Sequence, residues 1–260
     1  MTLWQGILLG LVQGITEFLP VSSDGHLVLT GTLLGVATPG VFVEVALHVA
    51  TLGAVLVTYG SRLFRVLRGA MRGHADDLRL VGLLALGTVP AAAVGLLAKP
   101  LVERTFDSLW FAGGGFIVTG IILWSARGAA GDRSVPSARA AVLIGVAQAL
   151  AILPGVSRSG STVSAGLWAR VRPAAAAEFS FLLAVPAIAG AAVLESGEAV
   201  ASAGTVGVVP LAVSCAVAFL SGIWAIRFLL RMLERGRFYV FAPYCFAVGA
   251  LTLALALWRV

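Results

Sequence analysis

The chain has 260 residues, of which 59% are hydrophobic and 12% charged, with a mean hydropathy of +1.00. A soluble domain cannot hide that much apolar surface, so lipid is the solvent for most of the chain. The net charge of +6 and pI near 10.3 invite a nucleic-acid reading. However, 14 of the 18 Arg and Lys lie in four short segments, 60–80, 127–139, 168–173 and 227–237, and not on one binding face, so no nucleic-acid partner is expected.

The first apolar region, 3–35, is interrupted at Leu19-Pro20 by a Ser- and Gly-rich turn and reads as a helix–break–helix hairpin. Three apolar runs long enough to cross a bilayer follow, at 41–60, 80–98 and 108–126. After the linker 127–138 the pattern restarts. A second broken region at 140–169, interrupted at Leu153-Pro154, precedes runs at 174–194, 206–226 and 238–258. No basic segment precedes the first apolar run, so no cleavable signal peptide is expected and the N-terminus is read as part of the mature fold. Cys215 and Cys245 both lie inside apolar runs, where cysteine behaves as a small hydrophobe, and no disulfide is inferred.

The two broken regions belong to an internal repeat. Gly10, Gln13, Ser22 and Gly25 recur 135 residues later as Gly145, Gln148, Ser157 and Gly160. Leu19-Pro20 and Trp124 recur one residue early, as Leu153-Pro154 and Trp258. Each half, 1–126 and 139–260, holds one hairpin and three spans, and an odd number of crossings puts the halves in opposite orientations. Charge agrees: the four basic segments are cytoplasmic by the positive-inside rule. The connections 99–107 and 195–205, with Lys99, Glu103, Arg104, Asp107, Glu195 and Glu198, are outside. The expectation is a single all-α polytopic membrane domain, six transmembrane helices plus two re-entrant hairpins, whose tips meet near the midplane. Non-helical backbone at that depth needs protein or a water-filled cavity around it, so a polar site between the tips follows.

Ionisable groups inside a membrane are costly and mark function by default. In the first hairpin Gln13 and Glu17 stand at i and i+4 on one helix face, Pro20 ends that helix, and Ser22, Ser23 or Asp24 can cap the next. Glu17 and His26 are site candidates. Asp24 is either a site group or a cap. In the second hairpin Arg158 offers a planar fork of donors suited to phosphate, beside a half-helix N-terminus that favours anions. Arg158 as an internal counter-ion to Glu17 is the competing reading. Ser157, Ser159 and Thr162 are open between phosphate contacts and backbone-bonded hydroxyls. Glu44 and His48, at i and i+4 in one span, and Glu178, opening the corresponding span of the second half, either support the cavity or pair helices.

The strings QGITEFLPVSSDGH (13–26) and LPGVSRSGST (153–162), with AEFSFLLAVP (177–186), resemble the signature motifs of the bacterial undecaprenyl-diphosphate phosphatase family, the bacitracin-resistance proteins. That resemblance spans nearly the whole chain. It implies removal of the terminal phosphate of undecaprenyl diphosphate, giving the carrier lipid of peptidoglycan synthesis. It also implies a divalent cation, Mg²⁺ or Ca²⁺, and an active site opening to the outer, periplasmic side of the cytoplasmic (inner) membrane. The family's glutamate-rich motif falls on Gln13 and Glu17, its catalytic serine and histidine on Ser23 and His26, and its neighbouring serine on Ser22. Its phosphate-binding arginine falls on Arg158, with Ser157, Ser159 and Thr162 beside it. The family usually has Thr at Asp24 and Gln at His48. Asp24 is therefore an added carboxylate that can join Glu17 and Gln13 as a metal ligand, since hard cations prefer carboxylate oxygen.

On this reading Ser23 attacks the terminal phosphorus, His26 is the general base, and Arg158 stabilises the transferring phosphoryl group. A water nucleophile is the variant left open. The rival reading is a secondary transporter or polyprenyl-phosphate flippase with a midplane anion site, since inverted repeats and broken helices serve transporters too. A transporter, however, needs no nucleophile. A homodimer is compatible with the sequence.

Overall fold

The computed structural model describes residues 1–34, 41–106, 108–129, 131–202 and 207–259. Asp107 lies outside them, as do the side chains of Lys99, Glu103 and Glu198. Among the described residues the chain is helical throughout, apart from one isolated backbone bridge between Arg133 and Val171.

Thr2 and Gln5 exchange side-chain and backbone hydrogen bonds in a capping box that starts α1 (Leu3–Phe18). The helix stops because Pro20 forces its predecessor Leu19 into extended backbone, at φ −65° and ψ 146°. After this break α2 runs Ser23–Leu34, then α3 Val41–Met71, α4 Ala75–Leu97, α5 Lys99–Phe106 and α6 Leu109–Ser125. Ser137 caps α7 (Ala138–Leu150), the second break spans 151–157, and Ser157 caps α8 (Arg158–Trp168). The chain closes with α9 (Pro173–Ser202), α10 (Val208–Glu234) and α11 (Phe241–Trp258).

Both helix–break–helix regions thus fall where Pro and Gly place them. Five helices among the described residues are long and apolar enough to cross a membrane: Phe42–Met71, Ala75–Leu97, Pro173–Gly197, Val208–Glu234 and Phe238–Trp258. The sixth expected span, 108–126, is the 17-residue apolar helix α6. At 1.5 Å per residue it is about 25 Å long, short of the ~30 Å hydrocarbon core. The expected basic loop 60–80 is largely helix, because α3 continues to Met71 and α4 starts at Ala75. The segment 99–106, expected as a connection, forms the short helix α5.

Small residues set the helix packing. Gly6, Gly10 and Gly14 of α1 face the backbone of Pro210, Ser214 and Ala218 of α10, so closely that a Cβ on any of them would overlap it. Gly145 of α7 meets the carbonyl of Gly87 of α4 in the same way. Close approach through small residues is how helices gain contact where lipid removes the hydrophobic drive. Gly10 and Gly145 are repeat mates, and so are the packings: α1 on α10 and α7 on α4, with α3 against α9 and α6 against α11. Phe18, Val163, Phe181, Ile226 and Leu229 form the main buried cluster under the two breaks.

Candidate active site

The two breaks meet. A Cβ on Gly25 of α2 would strike the backbone of Gly155, and one on Gly160 of α8 would touch Pro20, so each half-helix leans on the other hairpin's break through its glycine. Ser159 Oγ donates to the Leu19 carbonyl at 3.1 Å and ties them further. Thr119 of α6 braces the second break from behind: its hydroxyl donates to the Gly155 carbonyl at 2.8 Å and accepts from the Ser157 N–H at 2.9 Å. Gly155 sits at φ +86°, where glycine is free of strain. Ser22 holds φ +67° without that freedom, a conformation that costs roughly 1–3 kcal/mol and persists only where its surroundings enforce it.

Glu17 is the hub. Its Oε1 accepts from Arg158 Nη2 at 2.6 Å. Its Oε2 accepts from Ser23 Oγ at 2.7 Å and from Gln13 Nε2 at 3.1 Å. His48 Nε2 lies 3.6 Å from both Glu17 Oε2 and Asp24 Oδ1. Glu17, Ser23, Asp24, His48 and Arg158 line a cavity of about 240 Å³ between the breaks, α3 and residues 187–195 of α9, with Phe106 of α5 also in its wall. Arg158 Nη1 and Gln13 Oε1 are buried and have no hydrogen-bond partner among the described residues. Four carboxylates, Glu17, Asp24, Glu44 and Glu195, face this one space.

The structure gathers Ser22, Ser23, Glu17, Asp24, Glu44, His48, Ser157 and Arg158 around the cavity. Asp24 is not the cap of α2, because the Gly25 N–H is taken by Ser22 Oγ at 3.3 Å. Other expected members are turned elsewhere. Ser159 spends its hydroxyl on Leu19 and Ser157, and Thr162 bonds the Arg158 carbonyl and, at 2.6 Å, Ser180. Glu178 is not at the cavity and pairs with Arg62 of α3 at 2.9 Å. It stands nine residues before Ala187, the first α9 residue lining the cavity, which is about 14 Å along the helix.

His26, three residues after Ser23 in α2, has both ring nitrogens engaged by other groups. Its Nδ1 meets the Ser22 carbonyl at 2.7 Å and its Nε2 the Tyr244 hydroxyl at 2.7 Å, with Phe116 edge-on to the ring. Thr119 and Tyr244 went unread in the sequence, because a lone hydroxyl in an apolar run carries no local signal.

The hard-oxygen donors available to a divalent cation are the Glu17 and Asp24 carboxylates, each 3.6 Å from His48 Nε2, and the buried Gln13 Oε1. Among the described residues no group of three or more His, Cys, Asp or Glu is arranged to hold a metal unaided. A bound cation would therefore complete its shell with water or substrate oxygens, as Mg²⁺ commonly does.

Fold and site together define a multi-pass helical membrane protein with a charge-lined chamber between two helix breaks. The chain belongs to the family described as Bacitracin resistance protein BacA, whose profile matches residues 6–251. Among its relatives, a protein of Desulfosudis oleivorans named undecaprenyl-diphosphatase is 43% identical, covering 96% of this chain and 97% of its own length. Proteins of the same name from Desulforapulum autotrophicum (40% identical, 97% and 98% covered) and Korarchaeum cryptofilum (35% identical, 98% and 100% covered) are similar along their whole lengths.

Proposed function

We propose that the chain hydrolyses undecaprenyl diphosphate to undecaprenyl phosphate and inorganic phosphate, with Ser23 as nucleophile. The observation that carries this is the Ser23–Glu17–Arg158 array: a hydroxyl already donating to a carboxylate, beside a guanidinium with one unbonded nitrogen, at the N-terminus of α8. A transporter's anion site has no use for the first of these contacts.

The terminal phosphoryl group of the substrate lies against Arg158 Nη1 and the free N–H groups that open α8, whose dipole favours the anion. Ser23 Oγ attacks the phosphorus as its proton passes to Glu17 Oε2. The Oγ–P bond forms, the bond from phosphorus to the bridging oxygen breaks, and the lipid monophosphate departs with the proton that Glu17 hands on to it. Water then attacks the phosphoseryl group, one of its protons returns through Glu17 to Ser23 Oγ, and phosphate leaves. His26 does not take the proton, because neither ring nitrogen is free for it. Ser159 and Thr162 act through packing, leaving Ser22, Ser157 and Arg158 as phosphate contacts.

Asp24, Gln13 and Glu17 are the residues that would hold Mg²⁺ or Ca²⁺. Bound there, the cation neutralises phosphate oxygens and favours charge build-up on the leaving group.

The halves 1–126 and 139–260 are read as one membrane domain of oppositely oriented repeats, with both hairpins re-entrant, α6 as the sixth crossing, basic connections cytoplasmic and the chamber opening outward. The exchange of packing partners between repeat mates supports this. The location is the cytoplasmic membrane.

The test is phosphate release from undecaprenyl diphosphate by purified protein, with and without chelator. Wild type is expected to turn over, to stop on chelation and to recover with Mg²⁺ or Ca²⁺. Ser23→Ala should bind the lipid while losing on the order of 10³ or more in rate. Turnover at the wild-type rate by Ser23→Ala removes the nucleophile from the scheme, full activity after thorough chelation removes the metal, and no release by folded wild type removes the function.

A further inference from the structure

Resting on this reading of Ser23 as the reacting group, we infer that Tyr244 is a positioning residue for the reaction. It acts through His26 on the strained turn at Ser22 that delivers the nucleophile.

The chain of contacts is directional. A carbonyl oxygen only accepts, so the 2.7 Å contact between His26 Nδ1 and the Ser22 carbonyl makes Nδ1 the ring's N–H. In that tautomer Nε2 is the acceptor, and the hydrogen it receives is that of the Tyr244 hydroxyl, 2.7 Å away. The two rings lie parallel, 2° apart with centroids at 5.8 Å, and Phe116 of α6 stands edge-on to His26 at 4.9 Å. His26 therefore has one orientation and one tautomer, set by α6 and α11, which pack on each other. The same Ser22 carbonyl also receives the His26 backbone N–H at 3.3 Å, and Ser22 Oγ receives the Gly25 N–H. Three hydrogen bonds thus converge on a serine at φ +67°, the conformation least willing to hold itself.

The residue after Ser22 is the nucleophile. Relaxing φ at Ser22 swings Ser23 Oγ away from Glu17 Oε2, and a misplacement of about 1 Å at a reacting atom costs on the order of 10²-fold in rate. Tyr244 is half-exposed on α11, and its hydroxyl meets His26 Nε2. Cys245, the next residue, reaches the Pro20 carbonyl with its Sγ at 3.7 Å, so α11 holds the first break at two successive positions.

The experiment separates positioning from chemistry by substitution at both ends of the relay. Tyr244→Phe keeps the ring stack and removes only the hydroxyl, so kcat should fall about 3–10-fold, the equivalent of one hydrogen bond, with KM within twofold. His26→Asn places an amide N–H where Nδ1–H stood and should keep kcat within about tenfold of wild type, whereas His26→Ala should lose on the order of 10². In protein labelled with ¹⁵N-histidine, and with the His26 resonances assigned through His26→Asn, wild type should show the Nδ1–H tautomer. Tyr244→Phe should show a tautomer mixture. His26→Asn as inactive as His26→Ala would make the imidazole a chemical participant and overturn the inference. So would an unchanged tautomer together with unchanged kcat in Tyr244→Phe. The tautomer measurement requires no turnover, so a wrong substrate assignment leaves it standing and is recognised separately.

Discussion

Replacing Arg158 by lysine isolates the part of the site that acts on the transition state. In the structure Nη2 is committed to Glu17 Oε1 at 2.6 Å, while Nη1 is buried without a partner at the cavity wall. One guanidinium therefore does two things at once: it neutralises a buried carboxylate and holds a second donor ready for phosphate. A lysine ammonium is a single point charge and cannot do both in the same geometry. Alanine would be uninformative, because stripping the counter-ion from buried Glu17 destabilises by about 3–5 kcal/mol. Lysine keeps the pair with Glu17 and forfeits the second donor, which corresponds to about 2.7–4 kcal/mol of transition-state stabilisation, or 10²–10³ in kcat. The assay is steady-state phosphate release in detergent, alongside equilibrium binding of the lipid diphosphate and a thermal melt. A large loss of kcat with binding weakened much less and the melt nearly unmoved is expected. A kcat within threefold of wild type, or binding lost in proportion to turnover, would refute the assignment of Nη1 to the transferring phosphoryl group.

The contact of His48 Nε2 with Asp24 Oδ1 at 3.6 Å joins the two positions at which this chain departs from its family's usual residues, so they should behave as a unit. In a cycle of Asp24→Thr, His48→Gln and the double variant, kcat/KM should show a coupling of about 0.5–3 kcal/mol, with the double variant better than the singles add up to. Additivity within about 0.5 kcal/mol would show the pair to be independent. For orientation, single cysteines at Ala70 and Met232, in a background lacking Cys215 and Cys245, should resist an impermeant thiol reagent in intact cells. Cysteines at Arg104 and Val200 should react. Labelling of 70 and 200 from the same side would end the opposed-repeat arrangement.

What the sequence determined by itself was set by local physics. Long apolar runs are helices in lipid, because a helix satisfies its backbone within its own segment. Leu19-Pro20 and Leu153-Pro154, each followed by a Ser- and Gly-rich turn, mark where two of them break. Gly10 and its recurrence Gly145 both lie at close helix approaches, which a residue without a side chain permits. Glu17, His26 and Arg158 stood out because charge is out of place at that depth, whereas Ser23 was singled out by the motif resemblance. The tertiary structure decided which of these groups touch. His26 reads in the sequence as the base for Ser23, and only the fold shows its ring nitrogens meeting the Ser22 carbonyl and the hydroxyl of Tyr244, 218 residues further on. Glu178, which opens the span corresponding to that of Glu44, fell on Arg62, and the cavity-lining part of α9 begins about two and a half turns further on. The brace from Thr119 to the second break joins residues 36 and 38 apart across a helix crossing. Hydropathy and spacing fix where a helix starts, stops and turns its apolar face. How two helices cross, and so which side chain meets which, depends on packing summed over the whole bundle, and no stretch of sequence contains that sum.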